Sequence, residues 1–193
     1  MYHVVTRMAH TVALIGGLVL TALILLVCVS VLGRSGNTIA HMDGVQAQIP
    51  WLSDLLLSLG VGPVPGDFEI VEAGIAFSIF AFLPICQLRG GHATVDVFTS
   101  FLPKRSNGWL RAFWEIMLTL AIVLITWRLG VGLADKISTG ETTLLLGFPK
   151  WWGYAASLLA AVTASFVAIY CSYARVIEAV SGAPLMDEEG AAH

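Results

Sequence analysis

Four long apolar runs, at about 11–32, 68–88, 112–134 and 151–174, constrain this chain more than any other feature. A helix that crosses a bilayer needs roughly 20 such residues. It must also satisfy every backbone polar group within itself, because the hydrocarbon offers no water. The runs predict an all-α integral membrane protein with four transmembrane helices in a single membrane domain, 1–193. Composition agrees: 12% of residues are charged and mean hydropathy is +0.83, against about a quarter charged in a soluble domain. The net charge of −3 comes without a basic block, so no nucleic-acid partner is expected. The first run follows Arg7 and stays uncharged through Gly33. That is too long for a secretory signal core and lacks a small-residue cleavage site, so a retained first helix is expected.

Lysine and arginine set the expected orientation. One side of the membrane would hold Arg7, Arg89, Lys104, Arg105, Arg111 and Arg175. The other would hold Arg34, Lys136 and Lys150, with Arg128 inside the third run near that face. The imbalance predicts that both termini are cytoplasmic.

The connections carry patterns of their own. In the outer loop, 34–67, "PWLSDLLLSLG" puts Pro50 at a helix start and Gly60 at its end, with Trp51, Leu52, Leu55, Leu56 and Leu59 on one face. A short helix lying in the outer interface is expected there. On the inner side, Gly90 and Gly91 permit a sharp turn. Val95, Phe98, Phe101 and Leu102 then recur at helical spacing before Pro103. A helix over 92–102 lying flat on the cytoplasmic surface is expected, its basic flank facing anionic headgroups. The second outer loop, 135–150, leads into Trp151, Trp152 and Tyr154, an aromatic belt at the head of the fourth run. That run holds two rows of small residues four apart. They are Ala156, Ala160, Ala164, Ala168 and Ser172, and Gly153, Ser157, Ala161 and Ser165. Such rows let helix backbones approach closely in lipid, where packing drives association. The acidic tail, 182–193, is expected to be disordered.

The residues for several chemistries are missing. A b-type cytochrome needs histidines inside the spans, and His3, His10, His41, His92 and His193 all lie outside the span cores. Cys28, Cys86 and Cys171 are dispersed in apolar runs and read as buried free thiols, not a redox pair or metal cluster. His92 and Asp96 stand four apart, but two ligands make no zinc site. The glycine pair could line an anion nest, with capping and hydrogen bonding the favoured role. Intramembrane charges are informative because each costs a few kcal/mol or more unless paired. Glu69 and Glu72 enter the second span from its outer end, and Arg128 lies at similar depth in the third. A Glu72–Arg128 pair is expected near the outer face, and a contact of Glu115 with a basic residue near the inner one. Helix registration is the favoured role, and a proton or substrate relay the alternative. Unbroken first, third and fourth spans and the absence of a repeat argue against a transporter complete in this chain. No catalytic residue, metal ligand or enzyme activity is expected.

The stretch "LRGGHATVDVFTSFLPKR" resembles the signature of the small membrane subunit of TRAP transporters, the tripartite ATP-independent periplasmic family. The matching positions are Arg89, Gly91, His92, Val95, Asp96, Leu102, Pro103 and Arg105, with Gly90 beside them. The acidic start of the second span is similar too. So is "GETTLLLGFPKWWGY", through Gly140, Leu146, Pro149, Trp151 and Tyr154. The resemblance covers about 68–175; the loop 34–67 is longer than usual for the family. It implies four helices in the bacterial inner membrane with both termini inside. It implies a large membrane subunit that holds the sodium and substrate sites and moves as an elevator, with this chain enlarging the static scaffold around it. A periplasmic binding protein would deliver an organic acid, and an ion gradient would drive uptake. No cofactor is implied in this chain; bound phospholipid is expected at the aromatic and basic flanks. Arg89, His92 and Asp96 would fix the cytoplasmic turn. The outer loops 34–67 and 135–150 are candidates for touching the binding protein, the second through Gly140, Glu141, Leu146, Pro149 and the adjoining Trp151. The rival readings are a small proton-coupled exporter working as a homodimer through Glu72 or Glu115, and an assembly factor.

Overall fold

The computed structural model describes residues 2–42, 51, 60, 62–89 and 104–181. Four helices account for most of them: α1 (Tyr2–Ala40), α2 (Asp67–Leu88), α3 (Lys104–Thr139) and α4 (Trp151–Ser181). All four are long and apolar enough to cross a membrane. The second matches its expected span almost residue for residue. The others overrun theirs. At about 1.5 Å per residue, the 39 residues of α1 reach roughly 58 Å and the 36 of α3 roughly 54 Å. Both exceed a hydrocarbon core of about 30 Å. Hydropathy marks where lipid begins and ends, whereas a helix stops only where its backbone finds other partners. The loop expected from residue 34 therefore begins after Ala40, and the one expected from 135 begins after Thr139. Arg105 is the second residue of α3, two positions after Pro103 in the sequence. The expected helices at 50–60 and 92–102 fall outside the described residues, Trp51 and Gly60 excepted, as do Gly90, Gly91, His92, Val95, Asp96, Pro103 and the tail 182–193.

Side-chain pairings fix the arrangement. Against α2, α1 runs antiparallel: Ser30 meets Asp67, Leu23 meets Gly74, and Gly16 meets Ala81. A Cβ added at Gly16 would stand 2.7 Å from that of Ala81, so only glycine admits this approach. Gly153 of α4 lies against Ala73, while Leu88 clusters with Val167, Cys171 and Ala174. Those two helices therefore run parallel. Finally α3 returns antiparallel to α4, with Gly132 at Tyr154, Thr126 at Ala161 and Thr119 at Ala168. The helices alternate up and down along the chain and lie in the spatial order α1, α2, α4, α3, with the central α2 and α4 parallel and α1 also touching α4.

The core follows α4. Ala160, Ala161, Ala164, Val167, Ala168 and Cys171 are all buried. One cluster joins Val5 and Ala9 of α1 to Leu88 and to Val167, Cys171 and Ala174 of α4. A second joins Ile122 to Ala164 and Ala168, with Leu83 packed against it. The thiols differ from expectation: Cys171 is buried, but Cys86 is only partly so and Cys28 is exposed. An apolar thiol facing lipid has no reason to seek the interior.

Candidate functional site

Among the described residues no enclosed chamber is found. The chain's chemistry-bearing residues gather at the two ends of the layer and along the α3–α4 seam.

At the end where α2 and α4 begin, a compact loop joins Gly140 to Trp151. Gly140 and Gly147 both take positive φ, +64° and +67°, a conformation in which other L-residues are strained. Within the loop the Thr143 N–H donates to the Phe148 carbonyl at 2.9 Å. The Lys150 N–H donates to the Glu141 carbonyl at 3.0 Å. An isolated antiparallel bridge pairs Thr142 with Pro149. Glu141 then ties the loop's base together, with its carboxylate 3.0 Å from Lys136 Nζ and 3.3 Å from Lys150 Nζ. The hydrogen bonds from Lys136 and Lys150 hold the Glu141 carboxyl below its ordinary value. Glu69, in the first turn of α2, reaches across to the loop. Its Oε1 accepts the Leu145 N–H at 2.7 Å and its Oε2 the Leu146 N–H at 2.9 Å. Leu146 in turn packs on Gly66, the cap of α2, which itself holds φ +75°. Trp151 and Trp152 follow, both exposed and edge-to-face at 6.0 Å. Of the five loop residues singled out in the sequence, Gly140, Glu141, Leu146, Pro149 and Trp151, all stand in or beside this one structure. The role of Glu69 was not legible: it looked like an intramembrane charge and is instead the loop's anchor.

A second latch binds α1 to the same end. The Ser30 hydroxyl donates to Asp67 Oδ2 at 2.5 Å and accepts the Val64 N–H at 3.2 Å. Arg34 approaches the same carboxylate at 3.9 Å and lies over the Phe68 ring. Asp67 Oδ1 caps the Phe68 N–H at 2.8 Å.

The expected Glu72–Arg128 pair does not form: both side chains are exposed, and no ion pair joins them among the described residues. Both α2 and α3 pack on α4, which stands between them. Similar depth was legible from the sequence, but neighbourhood was not. At the opposite end the two helices do meet, and Gln87 Nε2 donates to Glu115 Oε1 at 2.5 Å. Gln87 is buried and had not been singled out. Arg89, the C-cap of α2, is exposed, with Nη2 3.4 Å from His10 Nε2. His10 Nδ1 lies 2.9 Å from the Thr6 carbonyl oxygen. With Nδ1–H donating there, Nε2 turns its lone pair toward the guanidinium. This joins α1 to Arg89, the first residue of the turn motif that the sequence singled out; the rest of that motif, apart from Arg105, lies outside the described residues.

The α3–α4 seam is stitched by hydroxyls. Thr126 Oγ1 lies 3.2 Å from the Ala161 carbonyl oxygen and 2.8 Å from Ser165 Oγ. Thr119 Oγ1 donates to the Ala168 carbonyl at 3.1 Å. The two threonines are seven residues apart, so they share one helix face, a signal the sequence held. On the α2 side, a Cβ at Gly153 would come 3.0 Å from that of Ala73, and Ser157 is buried without a hydrogen-bond partner for its hydroxyl.

Comparison with curated proteins and with solved structures returned no match. A family model does match, over residues 56–179. Its description is the DctQ component of tripartite ATP-independent periplasmic transporters. The matched segment contains α2, α3, nearly all of α4 and the Glu69-anchored loop. This match, which takes in three of the four apolar helices and more than half of the chain, places it in the DctQ family, the small permease component of TRAP transporters.

Proposed function

We propose that this chain is the static small subunit of a TRAP transporter, bracing a large elevator-type membrane subunit for sodium-coupled uptake of an organic acid. The observation that carries this reading is the family match across 56–179. The lipid-facing surfaces support it. The most apolar stretch of α3 has only 6% of its residues buried within the chain, against 39% for α4. A helix held on one side only leaves a broad face for another membrane subunit. In this reading the chain sits in the bacterial inner membrane with both termini cytoplasmic, as the lysine and arginine distribution favours. Sodium and substrate bind in the large partner. The turn motif from Arg89 through His92 and Asp96 to Arg105 braces the scaffold at the cytoplasmic surface. A periplasmic binding protein docks over the outer end, where Gly140, Glu141 and Pro149 are offered. The buried face of Gly153, Ser157, Ala160, Ala161, Ala164 and Ala168 holds α4 at the centre of the subunit. Anionic phospholipid lines its basic flanks.

A mild-detergent pull-down of the tagged chain from its native membrane, read by mass spectrometry, tests this. A large polytopic partner in near-equal amount is the expected result. A lone homodimer that transports in exchange for protons would overturn the reading and direct attention to Glu72 and Glu115.

A further inference from the structure

The loop between α3 and α4 carries three consecutive leucines at its tip, with Leu144 99% exposed, Leu145 69% and Leu146 43%. Leucines on a loose loop would mean little, but these are held at fixed height. Glu69 takes the N–H groups of Leu145 and Leu146, Leu146 seats on Gly66, and Glu141 joins Lys136 and Lys150 at the base. That height can be read from the helices. Glu69 belongs to the first turn of α2 and Trp151 and Trp152 to the first turn of α4; with Gly153 touching Ala73, α2 starts about one helical turn, roughly 6 Å, beyond the start of α4. The tip thus shares a band with the exposed rings of Phe68, Trp151 and Trp152, the residue types that settle at a membrane–water interface.

The geometry points to a lipid surface as the occupant: loop 143–147 is a non-spanning anchor that lays Leu144 and Leu145 into the headgroup–acyl boundary of the leaflet at that end. Two further observations favour lipid over a protein partner. First, four of the six backbone N–H groups from Thr143 to Phe148 are already taken. The Thr143 N–H goes to Phe148, those of Leu145 and Leu146 to Glu69, and that of Phe148 to the Thr143 hydroxyl at 3.2 Å. A segment entering an apolar medium must satisfy such groups internally, whereas one docking on a protein edge would keep some to offer. Second, the loop's own charges sit at its base, where Glu141 meets Lys136 and Lys150; residues 142–149 carry none, and the one carboxylate that reaches the tip, that of Glu69, is bound by the Leu145 and Leu146 N–H groups. This inference does not depend on the family assignment.

The test uses the full chain, with whatever membrane partner purifies with it, in nanodiscs of phosphatidylcholine and phosphatidylglycerol. In a Cys28→Ala, Cys86→Ala, Cys171→Ala background, Leu144→Cys is labelled with bimane. It is then quenched either by a phosphatidylcholine carrying a nitroxide high on its acyl chain or by aqueous iodide. Leu124→Cys, 62% exposed in mid-span, and the free dye serve as references. The expected result is at least a twofold loss of emission with the nitroxide lipid and under a third of the free dye's iodide quenching. Adding Glu69→Ala should weaken the lipid quenching, because the tip is no longer held. Iodide quenching equal to the free dye, or shielding from both quenchers with crosslinks to a protein, would overturn the proposal.

Discussion

At the residue scale, hydrogen bonds from hydroxyls and carboxylates decide which neighbours persist. Thr126→Val keeps the shape of the side chain and removes its bonds to Ala161 and Ser165. Interhelical bonds of this kind contribute about 0.6 kcal/mol on average and up to about 1.7 in membrane proteins. Thr126→Val should therefore lower unfolding stability by roughly that amount in an SDS titration from mild detergent. Thr163→Val, which loses only a bond within its own helix to the Leu159 carbonyl, should cost less. A second prediction concerns acid. Lys136 and Lys150 hold the Glu141 carboxyl below its ordinary 4.5. A depressed folded value means that its contribution is fully present above the unfolded value and is lost as pH falls through the folded one. The thermal midpoint of the wild-type chain should therefore drop below about pH 4.5, and Glu141→Gln should flatten that part of the profile while lowering the midpoint at neutral pH. Equal slopes in the two proteins would count against the loop's ion pairs. Neither contact was fully legible. The sequence marked Glu141 and Ser165 as notable, yet a carboxylate in a loop does not name its lysine, and a hydroxyl in a span does not say which carbonyl lies opposite.

At the element scale, the legible features were those that repeat along one helix. The rows on α4 from Gly153 to Ser165 and from Ala156 to Ser172 could be read because close packing in lipid needs small residues at every turn. Ser157, Ala160, Ala161, Ala164 and Ala168 are indeed buried. Helix ends were less legible. Apolarity gave the lipid-crossing parts, but α1 and α3 run beyond them through residues such as Gly36, Asn37 and Ser138, which neither hydropathy nor helix propensity marks as helical. The close α2–α4 contact gives a third prediction. A side chain at 153 would enter the space of Ala73, 3.0 Å away at its first carbon. Gly153→Val should destabilise the chain by about 1–3 kcal/mol, the usual cost of overpacking. Leu159→Val, at a position 73% exposed on the same helix, should change little. If the two variants melt alike, α2 and α4 are not in contact at that point.

At the scale of the whole molecule, the spatial order α1, α2, α4, α3 decides the fate of the intramembrane charges. The sequence placed Glu72 and Arg128 at similar depth but could not reveal that α4 separates their helices, because depth follows from counting along one helix and neighbourhood depends on all four. Arg128 therefore faces outward, beside Trp127, which is 70% exposed. A charge within a span costs a few kcal/mol unless it reaches water, headgroups or a partner. Snorkelling and a partner make different demands. If the guanidinium only reaches the headgroups, Arg128→Leu removes a cost and changes nothing else. If the large subunit covers this face of α3, Arg128→Leu strips a charged contact from the interface. The second outcome is expected. The isolated variant should unfold within about 0.5 kcal/mol of wild type, as an outward-facing position away from packing contacts does. Recovery of the large partner in the pull-down should fall about tenfold, the equivalent of roughly 1.4 kcal/mol of association. Arg128→Lys should restore part of that recovery, because it returns the charge without the guanidinium's fork. Unchanged recovery with Arg128→Leu would mean that this face of α3 meets lipid, and would move the search for the partner's footprint to α1, whose outward side carries Leu14, Leu18, Leu25 and Leu32.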